Sequence, residues 1–230
     1  MTAGEAATRD PLVRVGVLGL QGDVEPHRAA LHSLPGVDAP IVRSRGELEA
    51  VDGLVIPGGE STTIGKLLDR MGLLEPLVDL AARGLPVYGT CAGLIVLARD
   101  IEGSEQHRLG VMDVTVARNA FGRQVESFEA DIDMPALGGE PVRGVFIRAP
   151  YVRRCGPGVE VLARFRDRVV AVRQGHLLGT AFHPELTADR RVHAAFVETV
   201  RRRALRKRPA ASGTAAGGPG VAQPSGASIG

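Results

Sequence analysis

The chain has 230 residues, 44% of them hydrophobic and 23% charged, a length and balance that suit one well-buried core and are short for two. No run approaches the roughly eighteen apolar residues of a membrane span, and the first residues lack the apolar stretch of a signal peptide, so a cytoplasmic protein is expected. The net charge of +2 suggests nucleic acid only until it is located: residues 201–230 hold six Arg or Lys and no acid, the first 200 carry 22 basic against 26 acidic side chains, and no basic face is interleaved with aromatics.

Residues 1–11 are small and polar and are expected to be disordered, as is the Ala, Gly, Ser and Pro tail over 206–230, leaving one domain over 12–205. Val13 to Leu18 reads as a buried strand, followed by the turn Gly19-Leu20-Gln21-Gly22-Asp23 and a helix through Leu34. A short strand near Pro40 to Arg43 and a brief helix around Glu47 lead to a buried strand over Gly53 to Ile56. The turn after it, Pro57 to Thr63, offers Ser and Thr as helix caps but fails as a phosphate loop: Glu60 stands at the first glycine position and Leu67 follows Lys66. Helical spacing continues from Ile64 to Arg83, with a break marked by Gly72 and Pro76. After a strand, turn and apolar helix over 85–99, alternating runs predict strands at Val111–Ala117, Gln124–Ile132, Val142–Ile147, Val159–Phe165, Val169–Arg173 and Leu177–Phe182, several antiparallel. A final amphipathic helix runs from Ala188 to about Leu205. The expected fold is α/β, a three-layer sandwich around a mixed, mainly parallel sheet.

Cys91 is the candidate nucleophile. Gly89 and Gly93 flank it in the Gly-x-nucleophile-x-Gly pattern of a strand-to-helix elbow, where a Cβ on either neighbour has no room and the helix N-terminus favours thiolate. Two cysteines, Cys91 and Cys155, with no Cys-x-x-Cys pair support neither a disulfide framework nor a zinc ribbon.

A cysteine nucleophile needs a base, and the base an orienting group. Of six histidines, His27, His32 and His193 lie in helical Arg- or Ala-rich stretches and His107 in a polar loop, so all four read as solvated surface residues; His176, at a strand start, reads either way. His183 closes an apolar strand and is followed by Pro184 and Glu185, whose carboxylate is spaced to accept the Nδ1 proton and leave Nε2 facing Cys91.

Gly89-Thr90-Cys91-Ala92-Gly93 with the late His183-Pro184-Glu185 resembles the class I, triad-type glutamine amidotransferases. Four further segments, Gly16 to Gly22, Pro57 to Thr63, Arg118 to Gln124 and Phe146 to Pro150, are similar to the glutaminase subunits of pyridoxal 5′-phosphate synthases; Ala120 stands where that family often has Ser. The resemblance covers most of 13–200 and implies hydrolysis of L-glutamine to glutamate and ammonia by Cys91, His183 and Glu185, with no metal or cofactor. It further implies an oxyanion hole from the N–H groups of Gly59 and Ala92 and glutamine contacts from Gly59, Glu60, Ser61, Arg118, Ile147 and Arg148. The implied partner is a (β/α)8-barrel synthase subunit that accepts the ammonia, and the Gln21 turn is a candidate activation switch. The rival readings are the glutaminase of imidazole glycerol phosphate synthase and a non-catalytic thiol or partner-binding protein.

Overall fold

The computed structural model describes residues 12–118 and 127–207. The expected disordered ends and the segment Asn119–Gln124 therefore lie outside the described residues, apart from Arg206 and Lys207, which continue the last helix.

Thirteen strands and six helices are described. In order they are β1 (Val13–Leu18), α1 (Val24–His32), β2 (Val37–Asp38), β3 (Ile41–Val42), α2 (Arg45–Glu49), β4 (Gly53–Ile56), α3 (Ser61–Arg70), α4 (Leu74–Ala82), β5 (Val87–Thr90) and α5 (Ala92–Leu97). There follow β6 (Ala98–Ile101), β7 (Met112–Ala117), β8 (Ser127–Ile132), β9 (Val142–Ile147), β10 (Tyr151–Cys155), β11 (Glu160–Phe165), β12 (Arg168–Gln174), β13 (Leu177–Thr180) and α6 (Arg191–Lys207). The main sheet runs β2-β1-β4-β5-β13-β12-β10-β7-β6, with β3 beside β1 and β11 beside β12; β8 and β9 form a separate hairpin. Its β1–β4–β5–β13 stretch is parallel, and the β13–β12–β10–β7 stretch is antiparallel. The sheet is mixed, as expected.

Alternation along the parallel strands sends successive side chains to opposite helix layers. On β4, a Cβ at Gly53 would meet Val200 of α6, whereas Ile56 lies against Gly93 of α5. Tyr88 on β5 packs on Phe196 of α6, ring centroids 5.5 Å apart, while Gly89 faces the α5 backbone. Both central strands are buried along their whole length, so they read as continuous apolar runs.

Local differences from the expected elements have local causes. The elbow helix stops at Leu97, and the chain passes straight into β6 through an extended Ala98; no Gly or Pro marks that exit. β10 carries two exposed arginines where alternation needed an apolar residue, which hid it. Gly72, at φ +63°, makes the break between α3 and α4, but Pro76 sits inside the first turn of α4, where a missing N–H costs nothing. The cap of α3 is Glu60, accepting from the N–H groups of Thr62 and Thr63, and not a Ser or Thr.

Candidate active site

The carboxyl ends of β1, β4, β5 and β13 converge on one cleft of about 480 Å³, the usual ligand position of an open α/β sheet. Cys91 stands at its centre with φ +48° and ψ −102°, a strained backbone for a residue with a Cβ. The strain is enforced by packing. A Cβ on Gly89 would lie 2.4 Å from the Gly93 carbonyl carbon, and one on Gly93 would lie 2.1 Å from the Ile56 oxygen. The Cys91 N–H donates to Thr180 O at 2.8 Å, which anchors the elbow to β13.

β13 delivers the base. His183 follows it by three residues, and its own N–H donates to Val145 O of β9 at 2.8 Å. A short 3-10 helix, Pro184–Leu186, then turns Glu185 back so that its Oε1 accepts from His183 Nδ1 at 2.7 Å. Cys91 lines the same cleft as His183, and its sulfur favours the charged form of the ring. His183 and Glu185 are both buried, at 3% and 5% exposure. Burial opposes charge on His183, but the nearby Cys91 sulfur, the hydrogen bond to Glu185 and its negative charge win, raising its pKa to about 10. Burial would likewise raise the Glu185 carboxyl, yet His27 and His183 together hold it well below its ordinary value. A buried carboxylate thus stands behind the imidazole, and the pair favours charge on the ring.

The remaining walls come from three turns. Gln21, Gly59, Glu60, Ser61, Ala92, Arg118, Ile147 and Arg148 all line the cleft with Cys91 and His183, so every residue singled out from the sequence borders it except Glu185, which stands behind His183. The first turn is wedged against the second: a Cβ on Gly22 would lie 1.8 Å from Gly58 O, the Asp23 N–H donates to that oxygen at 3.1 Å, and Gln21 Oε1 accepts the Glu60 N–H at 2.8 Å. The Glu60 carboxylate is taken up by its capping bonds to Thr62, Thr63 and the Thr63 hydroxyl. The β8–β9 hairpin supplies the opposite wall. Phe128 and Phe146 stack at 4.7 Å, and beyond them the Ile147 oxygen lies 3.8 Å from Cys91 Sγ and Arg148 takes φ +43°.

Four residues near the site escaped the sequence reading. Asp23 borders the cleft with its carboxylate 3.8 Å from His183 Nδ1. Asp23, His183 and Glu185 bring ligand atoms within 4.8 Å of one another, but a cation there would compete with the bond that orients His183. Gln106 Oε1 accepts from Ser61 Oγ at 3.4 Å and Arg118 Nη1 at 3.1 Å, tying two cleft residues together. His27 and His193 correct an expectation outright: both are fully buried, not solvated. Helical spacing held the signal, since His27 shares a face with Ala30 and Leu31, and His193 with Phe196 and Val197. His32 and His107 are exposed, as expected, and His176 is half-buried, bonded to Ala81 O at 2.8 Å.

An elbow cysteine with a histidine–carboxylate pair at the ends of such a sheet defines a class I glutamine amidotransferase fold. A solved structure described as a glutamine amidotransferase superposes with a TM-score of 0.77 and 53% identity over 81% of this chain and 98% of that one. The structure of PurLQS from Thermotoga maritima contains the same fold at 15% identity, with a TM-score of 0.62 over 82% of this chain and 98% of the matching one. The SNO glutamine amidotransferase family model matches residues 17–202, and the chain belongs to that family. Among its relatives, proteins named pyridoxal 5′-phosphate synthase subunit PdxT from Pelotomaculum thermopropionicum and Parafrankia are 60% and 61% identical over 186 and 190 residues. The matches cover 81% and 82% of this chain and 94% and 93% of theirs. Among the described residues no helix is long and apolar enough to cross a membrane.

Proposed function

We propose that the chain is the glutaminase subunit of a pyridoxal 5′-phosphate synthase, hydrolysing L-glutamine and passing the ammonia to a barrel-shaped synthase subunit. The observation that carries the chemistry is the 2.7 Å bond from His183 Nδ1 to a buried Glu185, behind a cysteine held at positive φ. The relatives at about 60% identity, named as pyridoxal 5′-phosphate synthase subunits, support the synthase partner, and neither rival reading has comparable support.

In this mechanism the Cys91 thiolate attacks the side-chain amide carbon of glutamine. The tetrahedral oxyanion is held by the N–H groups of Gly59 and Ala92, each such donor being worth about 3 kcal/mol. Collapse breaks the C–N bond, and imidazolium His183 gives its proton to the departing ammonia. The now neutral His183 takes a proton from water, which cleaves the thioester and frees glutamate. Arg118 and Arg148 suit the glutamine α-carboxylate. Because the Glu60 carboxylate caps α3, the contribution of Glu60 and Ser61 is placed on backbone and hydroxyl groups. Gln21, bonded to the Glu60 N–H, is proposed to set the Gly59–Glu60 peptide and so couple partner docking to the oxyanion hole.

The test is ammonia release from glutamine by the purified chain, with and without a pyridoxal phosphate synthase barrel subunit. Strong stimulation by the barrel, abolished in Cys91→Ala, is expected. Equal release in Cys91→Ala would refute the nucleophile, and no release with the barrel would refute the partner.

A further inference from the structure

The chemistry above uses Cys91, His183 and Glu185 and leaves two interior histidines without a role. Burying an imidazole costs desolvation free energy unless its ring nitrogens find partners. His27 of α1 and His193 of α6 have no exposed surface, and they are joined: His27 Nδ1 lies 3.0 Å from His193 Nε2. At its far side, His27 Nε2 lies 3.0 Å from Thr90 Oγ1, the residue before the nucleophile, and 3.3 Å from Glu185 Oε1. That is the same oxygen that His183 Nδ1 meets at 2.7 Å, while Glu185 Oε2 has no hydrogen-bond partner among the described residues. The carboxylate is therefore oriented through a single oxygen, and His27 is one of its two histidine neighbours there.

The ring protons follow from what each nitrogen faces. Thr90 Oγ1 can donate or accept, but the carboxylate oxygen 3.3 Å from His27 Nε2 repels a lone pair and favours the tautomer with the proton on Nε2. His193 Nδ1 is buried with no partner among the described residues; placing the His193 proton on Nε2, donated to His27 Nδ1, strands a lone pair there and no N–H. In that tautomer His193 donates to His27, and the His27 Nε2–H points at Thr90 Oγ1 with Glu185 Oε1 beside it.

We propose that His193 and His27 are positioning residues for the Cys91 chemistry, His193 fixing the tautomer of His27 and His27 fixing the rotamer of Glu185 that orients His183. The proposal rests on the glutaminase reading and extends its triad inward to α1 and α6. Without the His193 donor, the His27 proton is free to move to Nδ1, and Nε2 would turn a lone pair on the carboxylate. Outer partners of metal-ligating histidines typically carry about ten- to hundred-fold in activity, and a loss of that order is expected here.

The experiment compares His193→Phe, which keeps the ring volume and loses the donor, with His193→Gln, whose amide N–H can stand where Nε2–H was. With the barrel present, His193→Phe is expected to lower kcat roughly ten-fold or more with KM within about two-fold of the parent, and His193→Gln to recover most of the loss. In the isolated chain, the low-field proton resonance of the His183–Glu185 bond is expected to shift in His193→Phe and return in His193→Gln. Parental kcat and an unmoved resonance in the Phe variant would overturn the proposal. So would equal losses in both variants tracking a lower melting temperature, since that is the mark of a merely structural role. If the parent released no ammonia with the barrel, the proposed partner would fail, and the resonance comparison would still decide the positioning role.

Discussion

Cys91 holds a backbone conformation that costs of order 1–3 kcal/mol for a residue with a Cβ, and the neighbouring glycines are what make it affordable. Gly93 is the tighter case, because the atom in the way is the Ile56 backbone oxygen and cannot rotate aside. Gly93→Ala is predicted to push α5 off β4, costing about 1–3 kcal/mol in urea unfolding and displacing the Ala92 N–H from the oxyanion position. Gly46 is the contrast: it lies in α2 with nothing near its missing Cβ, and Gly46→Ala is predicted to stabilise by about 0.5–1 kcal/mol. Equal effects at the two positions would show that close approach does not govern the elbow. At this scale the sequence was already informative. A glycine on either side of a cysteine, with a strand before and a helix after, states the steric requirement without coordinates.

Between elements, the cleft depends on turns braced against one another. The β1–α1 turn leans on the β4–α3 turn through the Gly22–Gly58 approach and the Gln21–Glu60 bond. Gln21→Ala removes that bond and leaves the triad untouched, so it is predicted to reduce stimulation by the barrel far more than it reduces chain stability. Stimulation equal to the parent's would end Gln21's assignment as a switch. Sequence reading placed Gln21 between glycines but did not reveal what it touched, since its partner is 39 residues away. The same blindness misassigned the α3 cap. Ser and Thr are the usual caps, but past Gly59, at φ +156°, the Glu60 carboxylate is the group that reaches the free N–H groups.

For the whole molecule, the interior charges predict how stability depends on pH. Burial lowers the His193 pKa from 6.5 to about 3. From pH 6.5 down to about 3 the unfolded chain therefore binds a proton that the folded one refuses, and stability falls; the lowered Glu185 carboxyl adds to that loss below about pH 4.5. His183 acts in the other direction: its raised pKa contributes fully below 6.5 and is lost as pH rises toward about 10. The urea midpoint is predicted to peak near neutral pH, with the acid side flattened in His193→Phe; a midpoint that climbs steadily to pH 10 would contradict this. Hydrophobic periodicity determined the order of most strands and helices, because burial on a sheet or helix face is written at spacings of two or of three to four residues. The elbow and the His-Pro-Glu turn likewise marked the triad, since each is a local constraint. Tertiary structure alone decided what stands behind them. Four elements distant in sequence, α1, β5, the Pro184–Leu186 turn and α6, meet at His27, and burial there places one helical histidine beside Glu185 and a second against the first.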